Sequence, residues 1–199
     1  MDDREAISKV FEEHGDIVTT RVLRENGFYN QKLQKLISDG TIEQIRRGYY
    51  QRMDEKSFSE VRIIVSLFPD GVLCMESALD YYGYTQRTPE AWQIAVDKKT
   101  ARARFRIPYP AVHPHFITSS KFGIGISMGK IEETEIAVYN RERTICDCLL
   151  HRNKMDAEVF NEAVRGYLND EERKESRLAE YAPKLRVEKK VKEILGIWL

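Results

Sequence analysis

The chain has 199 residues, 42% apolar and 32% charged, with 32 basic and 32 acidic side chains and a formal net charge of zero. That length holds one large domain or two small ones, each with its own core, and the composition is ordinary for a soluble protein. No apolar run approaches the roughly 18–20 residues that cross a bilayer, and the acidic start (Met1-Asp2-Asp3-Arg4-Glu5) lacks the apolar stretch of a secretory signal, so a cytoplasmic protein with no membrane partner is expected.

The zero sum hides local structure. Residues 1–20 carry two basic and six acidic side chains, whereas residues 21–53 carry seven basic (Arg21, Arg24, Lys32, Lys35, Arg46, Arg47, Arg52) against three acidic. A second basic run at 97–121 holds Lys98, Lys99, Arg102, Arg104, Arg106 and Lys121 against Asp97 alone. Where charge sits matters more for binding than its total.

In chain order, Ala6, Ile7, Val10, Phe11 and His14 recur at helical spacing and predict a first helix, capped by Asp2 or Asp3 and ended by Gly15. Thr19 or Thr20 suits the N-cap of a short second helix carrying Val22 and Leu23, closed by Asn26-Gly27. A third helix follows Phe28-Tyr29-Asn30 and stops at Asp39-Gly40. On a wheel of about 100° per residue, Tyr29, Leu33, Leu36 and Ile37 form its apolar side. Asn30, Gln31, Gln34, Lys35 and Ser38 form the opposite side, with Lys32 on the flank. Amides pair with adenine edges and lysine reaches guanine or phosphate, so this face suits a major groove.

Thr41 to Ile45 then reads as a short strand, Arg46-Arg47-Gly48 as a turn and Tyr49-Tyr50-Gln51 as the return strand. A basic hairpin after a trihelical unit predicts a winged helix-turn-helix over residues 1–53. Its expected DNA contacts are Arg21, Tyr29, Asn30, Gln31, Lys32, Gln34, Lys35, Arg46, Arg47 and Tyr49, with Arg46 and Arg47 together clamping the backbone. The competing reading is a winged-helix module used for protein contacts. The polar third-helix face and the basic turn favour DNA.

Residues 54–199 are expected to form an α+β effector domain: helices over Ser57–Phe68 and Glu76–Tyr82, a small mostly antiparallel sheet, and a helical C-terminal segment. The predicted strands are Trp92–Val96, Arg104–Ile107, His115–Ile117 and Glu135–Tyr139, with glycines 123, 125 and 129 marking turns or bulges. Later helices are marked by Ile145, Cys148 and Leu149, by Val159 to Tyr167, by Leu178 to Leu185, which Pro183 must distort or end, and by Val187 to Trp198. Arg102, Arg104 and Arg106 would alternate along a strand and, with Lys98 and Lys99, line an auxiliary surface for an anionic partner, or else a solvated hairpin.

Catalytic signatures are sparse. The sequence lacks a phosphate-binding glycine loop, a GxSxG and an HExxH, and predicts no enzyme activity, cofactor or metal. Three cysteines, an odd number, read as small core residues; Cys146 and Cys148 would point about 200° apart on a helix and cannot share a metal. His113 and His115 could share a strand face. Asp70, Asp97 and Lys99 spell a nuclease-like PD…DxK, in which two acids hold a divalent metal and the lysine assists water. That gives the alternative reading, a metal-dependent nuclease fused to the winged helix, although Pro-Asp-Gly is also a common turn.

Taken together, Asp16–Thr20, Leu33–Gly40, Ile45–Tyr50 and, more specifically, Gly71-Val72-Leu73-Cys74-Met75-Glu76-Ser77-Ala78-Leu79, Glu142-Arg143-Thr144-Ile145-Cys146-Asp147 and Tyr181-Ala182 resemble the AbiEi antitoxins of abortive-infection, type IV toxin–antitoxin systems. The likeness departs at Asn30, Gln31, Lys32 and Gln34, where such proteins commonly carry more arginine. It implies repression of the protein's own operon through promoter inverted repeats, and counteraction of a co-encoded nucleotidyltransferase-like toxin by the C-terminal domain, without a required complex. A monomer binding as two copies per operator is expected. For Glu142–Asp147 the residues themselves favour a structural role, with Arg143 and Asp147 as an i,i+4 pair.

Overall fold

The computed structural model describes residues 2–53 and 59–196. The parts of the predicted helices that fall on Ser57, Phe58 and Trp198 lie outside the described residues. The chain divides into two compact units, one of Met1–Pro69 with Arg106–Pro110, the other of Asp70–Phe105 with Ala111–Leu199.

In the first unit, helix α1 (Asp3–His14) is followed by strand β1 (Ile17–Thr19), α2 (Thr20–Glu25), α3 (Asn30–Ser38), the hairpin β2 (Ile42–Arg46) and β3 (Tyr49–Arg52), and α4 (Glu60–Leu67). The caps follow side-chain chemistry. Thr19 starts α2 by accepting the Val22 N–H, and Gly27, at φ 80°, takes the left-handed turn that ends it. Asp2 makes no side-chain cap for α1, and the Asp3 carboxylate instead accepts from Lys32 at 2.9 Å. Ile7, Val10, Phe11, Val18, Leu23, Phe28, Leu33, Leu36, Ile42 and Tyr50 form one buried cluster. The helical stripes and the inward side of the sheet thus share a core.

The sheet of this unit has three strands in the order β1-β3-β2, all antiparallel. Strand β1 has no signal in the local sequence. Only three residues long, it is held by pairing to Tyr49–Gln51, some thirty positions away. A bulge between Gln44 and Arg46 leaves Ile45 without a register partner, and Ile45 is buried.

The first unit also extends past the expected boundary at Met53. Arg62 of α4 pairs with Asp16 at 2.6 Å, and the Tyr109 hydroxyl donates to Glu60. The division therefore falls after Pro69, and the short stretch Arg106–Pro110 joins this unit.

The second unit runs β4 (Val72–Leu73), α5 (Met75–Tyr81), β5 (Trp92–Asp97), β6 (Val112–Ile117), α6 (Ser119–Phe122), β7 (Ile126–Ile131), β8 (Thr134–Tyr139), α7 (Arg141–His151), α8 (Ala157–Asn169), α9 (Glu175–Leu185) and α10 (Glu188–Lys190), ending in a wide turn over Val191–Leu195. Its five strands are ordered β6-β5-β4-β8-β7. Pairings alternate: β6–β5 and β4–β8 are parallel, β5–β4 and β8–β7 antiparallel. The sheet is mixed, not mostly antiparallel as the sequence suggested.

The predicted strand at Arg104–Ile107 is absent for the same reason. Because β5 and β6 run parallel, the residues between them must cross over rather than form a hairpin strand. Arg102–Phe105 is a 3₁₀ turn. Strand β7 fills the stretch read as turns. Gly129 lies within it because a methyl there would overlap the Tyr81 hydroxyl. Pro114 is tolerated inside β6 because β6 is an edge strand. Pro183 sits in the last turn of α9, which ends at Arg186 in the left-handed region (φ 64°).

The larger core gathers α7, α8 and α9 around Ile145, Cys146, Cys148, Leu149, Phe160, Tyr167, Leu178 and Ala182. All three cysteines are buried free thiols. Arg143 of α7, 1% exposed, donates from Nε to Asp147 at 2.9 Å and from Nη1 to the carbonyls of Lys121 and Ile124, and lies 4.1 Å from the Tyr139 ring centroid. Burial pushes the Asp147 carboxyl up, to about 6, and the Arg143 guanidinium pulls against that. The Glu142–Asp147 stretch is thus internal scaffold: Glu142 accepts the Lys174 N–H, and the Thr144 hydroxyl donates to the Tyr139 carbonyl.

Candidate nucleic-acid interface

Helix α3 buries Leu33 and Leu36 and leaves Asn30, Gln31, Gln34 and Lys35 exposed. The side chains of these four make no hydrogen bond or ion pair among the described residues. A helix of this length with two buried leucines is held by its apolar side, so the amides opposite are fixed in direction yet open to a partner.

Two residues of the expected face are placed differently. Tyr29 is 64% exposed instead of joining the apolar side, because as N-cap residue it has extended backbone (φ −96°, ψ 170°) and leaves the helical wheel. Lys32 is held by Asp3 and sits 5.6 Å from the Phe28 ring centroid. That hydrogen bond with Lys32 holds the Asp3 carboxyl below its usual range, and the charge of Lys35 adds to the effect.

The hairpin separates the paired arginines. Arg47 is exposed at the turn, where Gly48 takes φ 91°, and it has no carboxylate partner among the described residues. Arg46 is turned back: its guanidinium stacks at 4.1 Å over the Tyr49 ring, lies 5.8 Å from the Phe68 ring centroid and donates to the Leu67 carbonyl at 3.5 Å. Of the two arginines expected to act together, only Arg47 is exposed. Arg46, and Tyr49 beneath it, belong to the packing of the first unit.

The turn is anchored to α2, since the Thr20 N–H donates to the Gly48 carbonyl at 2.9 Å. This brings the Arg47 turn beside the start of the helix that carries Arg21 and Arg24. Arg21 is exposed and loosely paired with Glu25 at 3.5 Å. Arg24, exposed in the last turn of α2, lies outside the expected contacts, although its exposure on this short helix matches that of Arg21.

The second basic run does not form the expected stripe. Arg104 donates to both oxygens of Asp70, at 2.6 and 2.8 Å, and holds that carboxyl below its usual range. Arg102 lies 4.7 Å from the Phe116 ring centroid, Lys98 and Lys99 are exposed, and Arg106 falls in the first unit.

Of the nuclease-like residues, Asp70 is spanned by Arg104, while Asp97 accepts the Lys99 N–H at 2.8 Å. A hydrogen bond from Ser119 is the main cause holding the Asp97 carboxyl low, with that backbone bond second. Both acids are thereby committed to local structure. His113 and His115 do share a face of β6, with rings stacked at 5.0 Å, and His115 Nε2 is 2.9 Å from Gln93 Oε1. Among the described residues no group of three or more His, Cys, Asp or Glu is placed to hold a metal ion, and no helix is long and apolar enough to cross a membrane.

No protein-family model matches the chain, and no curated protein matches its sequence. Among solved structures, the crystal structure of the RV2827C protein from Mycobacterium tuberculosis is similar, with a TM-score of 0.65 at 14% identity over 90% of this chain and 70% of that one. At that identity the likeness is one of fold.

Proposed function

We propose that the chain is a sequence-specific DNA-binding autorepressor, with a winged helix-turn-helix in its first unit. In this reading α2 and α3 are the helix pair, α3 enters the major groove, and the β2–β3 hairpin is the wing. The observation that carries it is the outward face of α3, where Asn30, Gln31, Gln34 and Lys35 are exposed with no carboxylate among them, opposite buried Leu33 and Leu36. Bidentate amides read adenine edges, and Lys35, Arg47, Arg21 and Arg24 supply phosphate contacts.

The second unit, in this proposal, is a non-catalytic effector that counteracts a co-encoded nucleotidyltransferase-like toxin in the cytoplasm. That half rests on the AbiEi resemblance of Gly71–Leu79 and Glu142–Asp147. The protein acts as a monomer in solution, with two copies on the inverted repeats of its promoter.

A reporter fused to the chain's own upstream region tests the first half. Wild-type protein represses it, and Asn30→Ala with Gln34→Ala relieves repression while the protein remains folded; undiminished repression by that variant contradicts the α3 assignment. Co-expression with the neighbouring toxin tests the second half: growth is restored by the wild type and also by the α3 variant. Failure of the wild type to restore growth removes the antitoxin role.

A further inference from the structure

Helix α3 contains no arginine, the side chain that most often reads guanine. Its two lysines are poor substitutes. Lys32, in the first turn, is engaged by Asp3 at 2.9 Å. Lys35 lies in the last turn, whereas the N-terminal residues of a recognition helix are the ones that meet base edges. The first two turns therefore offer a groove the amides of Asn30, Gln31 and Gln34, all exposed and without a side-chain hydrogen bond among the described residues.

Hydrogen-bond chemistry makes that set selective. An amide carries an acceptor oxygen beside a donor nitrogen, which matches the N6 donor and N7 acceptor of adenine. Guanine presents two acceptors, O6 and N7, so an amide laid on it in the same way sets oxygen against oxygen or nitrogen. Asn30 and Gln34 stand one turn apart, about 6 Å along the axis. For a helix lying along the groove, that spacing covers roughly two base-pair steps.

Tyr29 is an independent observation. It is the N-cap residue of α3, 64% exposed, and its ring makes no aromatic or cation–π contact among the described residues. Thymine, the partner of adenine, carries a C5-methyl group on its major-groove edge that takes apolar contacts. An exposed ring next to Asn30 in the chain suits that methyl group, which cytosine lacks.

Resting on the DNA-binding reading, we infer that α3 selects A·T pairs: Asn30 and Gln34 take adenines in the major groove, and Tyr29 packs on a thymine methyl. The full chain is used to select sites from random-sequence duplexes. The selected site is then remade with 7-deazaadenine, which lacks N7, or with deoxyuridine, which lacks the methyl group. These bases leave the protein unaltered, so lost binding cannot come from misfolding. A·T pairs are expected at the centre of each half-site, with binding weakened about tenfold by 7-deazaadenine and less by deoxyuridine. Asn30→Ala/Gln34→Ala is expected to be indifferent to the first replacement and Tyr29→Ala to the second. Half-sites of G·C pairs, or a selected site indifferent to 7-deazaadenine, overturn the A·T assignment while leaving DNA binding in place. Indifference to deoxyuridine alone removes the Tyr29 contact. Absence of any enriched sequence overturns the DNA-binding reading as well.

Discussion

The Arg46 guanidinium lies 4.1 Å above the ring of Tyr49, its partner across the hairpin, while the adjacent Arg47 projects from the turn. Two arginines that look equivalent in sequence therefore do different work. Arg47→Ala is expected to leave stability within about 0.5 kcal/mol of wild type. It should weaken binding to all DNA alike, reducing the salt slope by roughly 0.9 for one lost phosphate contact. Arg46→Ala is expected to lower stability by about 1–2 kcal/mol through the lost stacking and packing. Denaturant melts beside DNA titrations of both variants separate the roles, and an Arg46 variant of unchanged stability would contradict this placement.

On α3, Gln34→Ala or Asn30→Ala should each cost about 1–3 kcal/mol on the cognate site and little on unrelated DNA, because a lost base contact removes discrimination. Lys32→Ala acts through Asp3 instead. Its exposed pair with that carboxylate predicts little change in stability and no change in base preference. Competition with single-base operator variants checks both statements.

How far these assignments were legible in the sequence depends on how local their causes are. The starts and stops of α2 and α3 were readable because Thr19, Gly27 and Gly40 act on their own neighbours, and the amide face followed from spacing around Leu33 and Leu36. Strand β1 was not, since Ile17–Thr19 becomes a strand only through Tyr49–Gln51. The inward turn of Arg46 depends on Leu67 and Phe68, about twenty residues on. The alternating sheet depends on pairings such as Leu73 with Val138, which no local pattern encodes.

In the second unit, the sealed Arg143–Asp147 pair sets a large stability effect. Removing either partner, by Arg143→Met or Asp147→Asn, leaves its mate buried without a counter-charge, and a loss of about 3–5 kcal/mol is expected. Arg143→Lys should not rescue fully, because one ammonium cannot reproduce the donors that reach Asp147 and the carbonyls of Lys121 and Ile124. Urea unfolding measures the loss; near-wild-type stability in all three variants would contradict the scaffold role.

Acid should act through His115. Burial, reinforced by His113 and His151, lowers its pKa from 6.5 to about 4. The unfolded chain therefore binds this proton first, and the contribution of neutral His115 is complete above about 6.5 and lost progressively as pH falls towards 4. His115→Gln is expected to flatten that part of the stability–pH curve relative to wild type. Parallel curves for the two proteins would show that His115 titrates alike folded and unfolded.

The most direct measurement is a titration of the chain on its own upstream region, at two salt concentrations, against scrambled DNA of equal length. Tight, competitor-resistant binding in two steps is expected, weakening steeply with salt, with the preference for the upstream region lost on Gln34→Ala. Equal weak binding to both DNAs, or binding insensitive to salt, would contradict the assignment of α3 and the Arg47 turn as a DNA-reading surface.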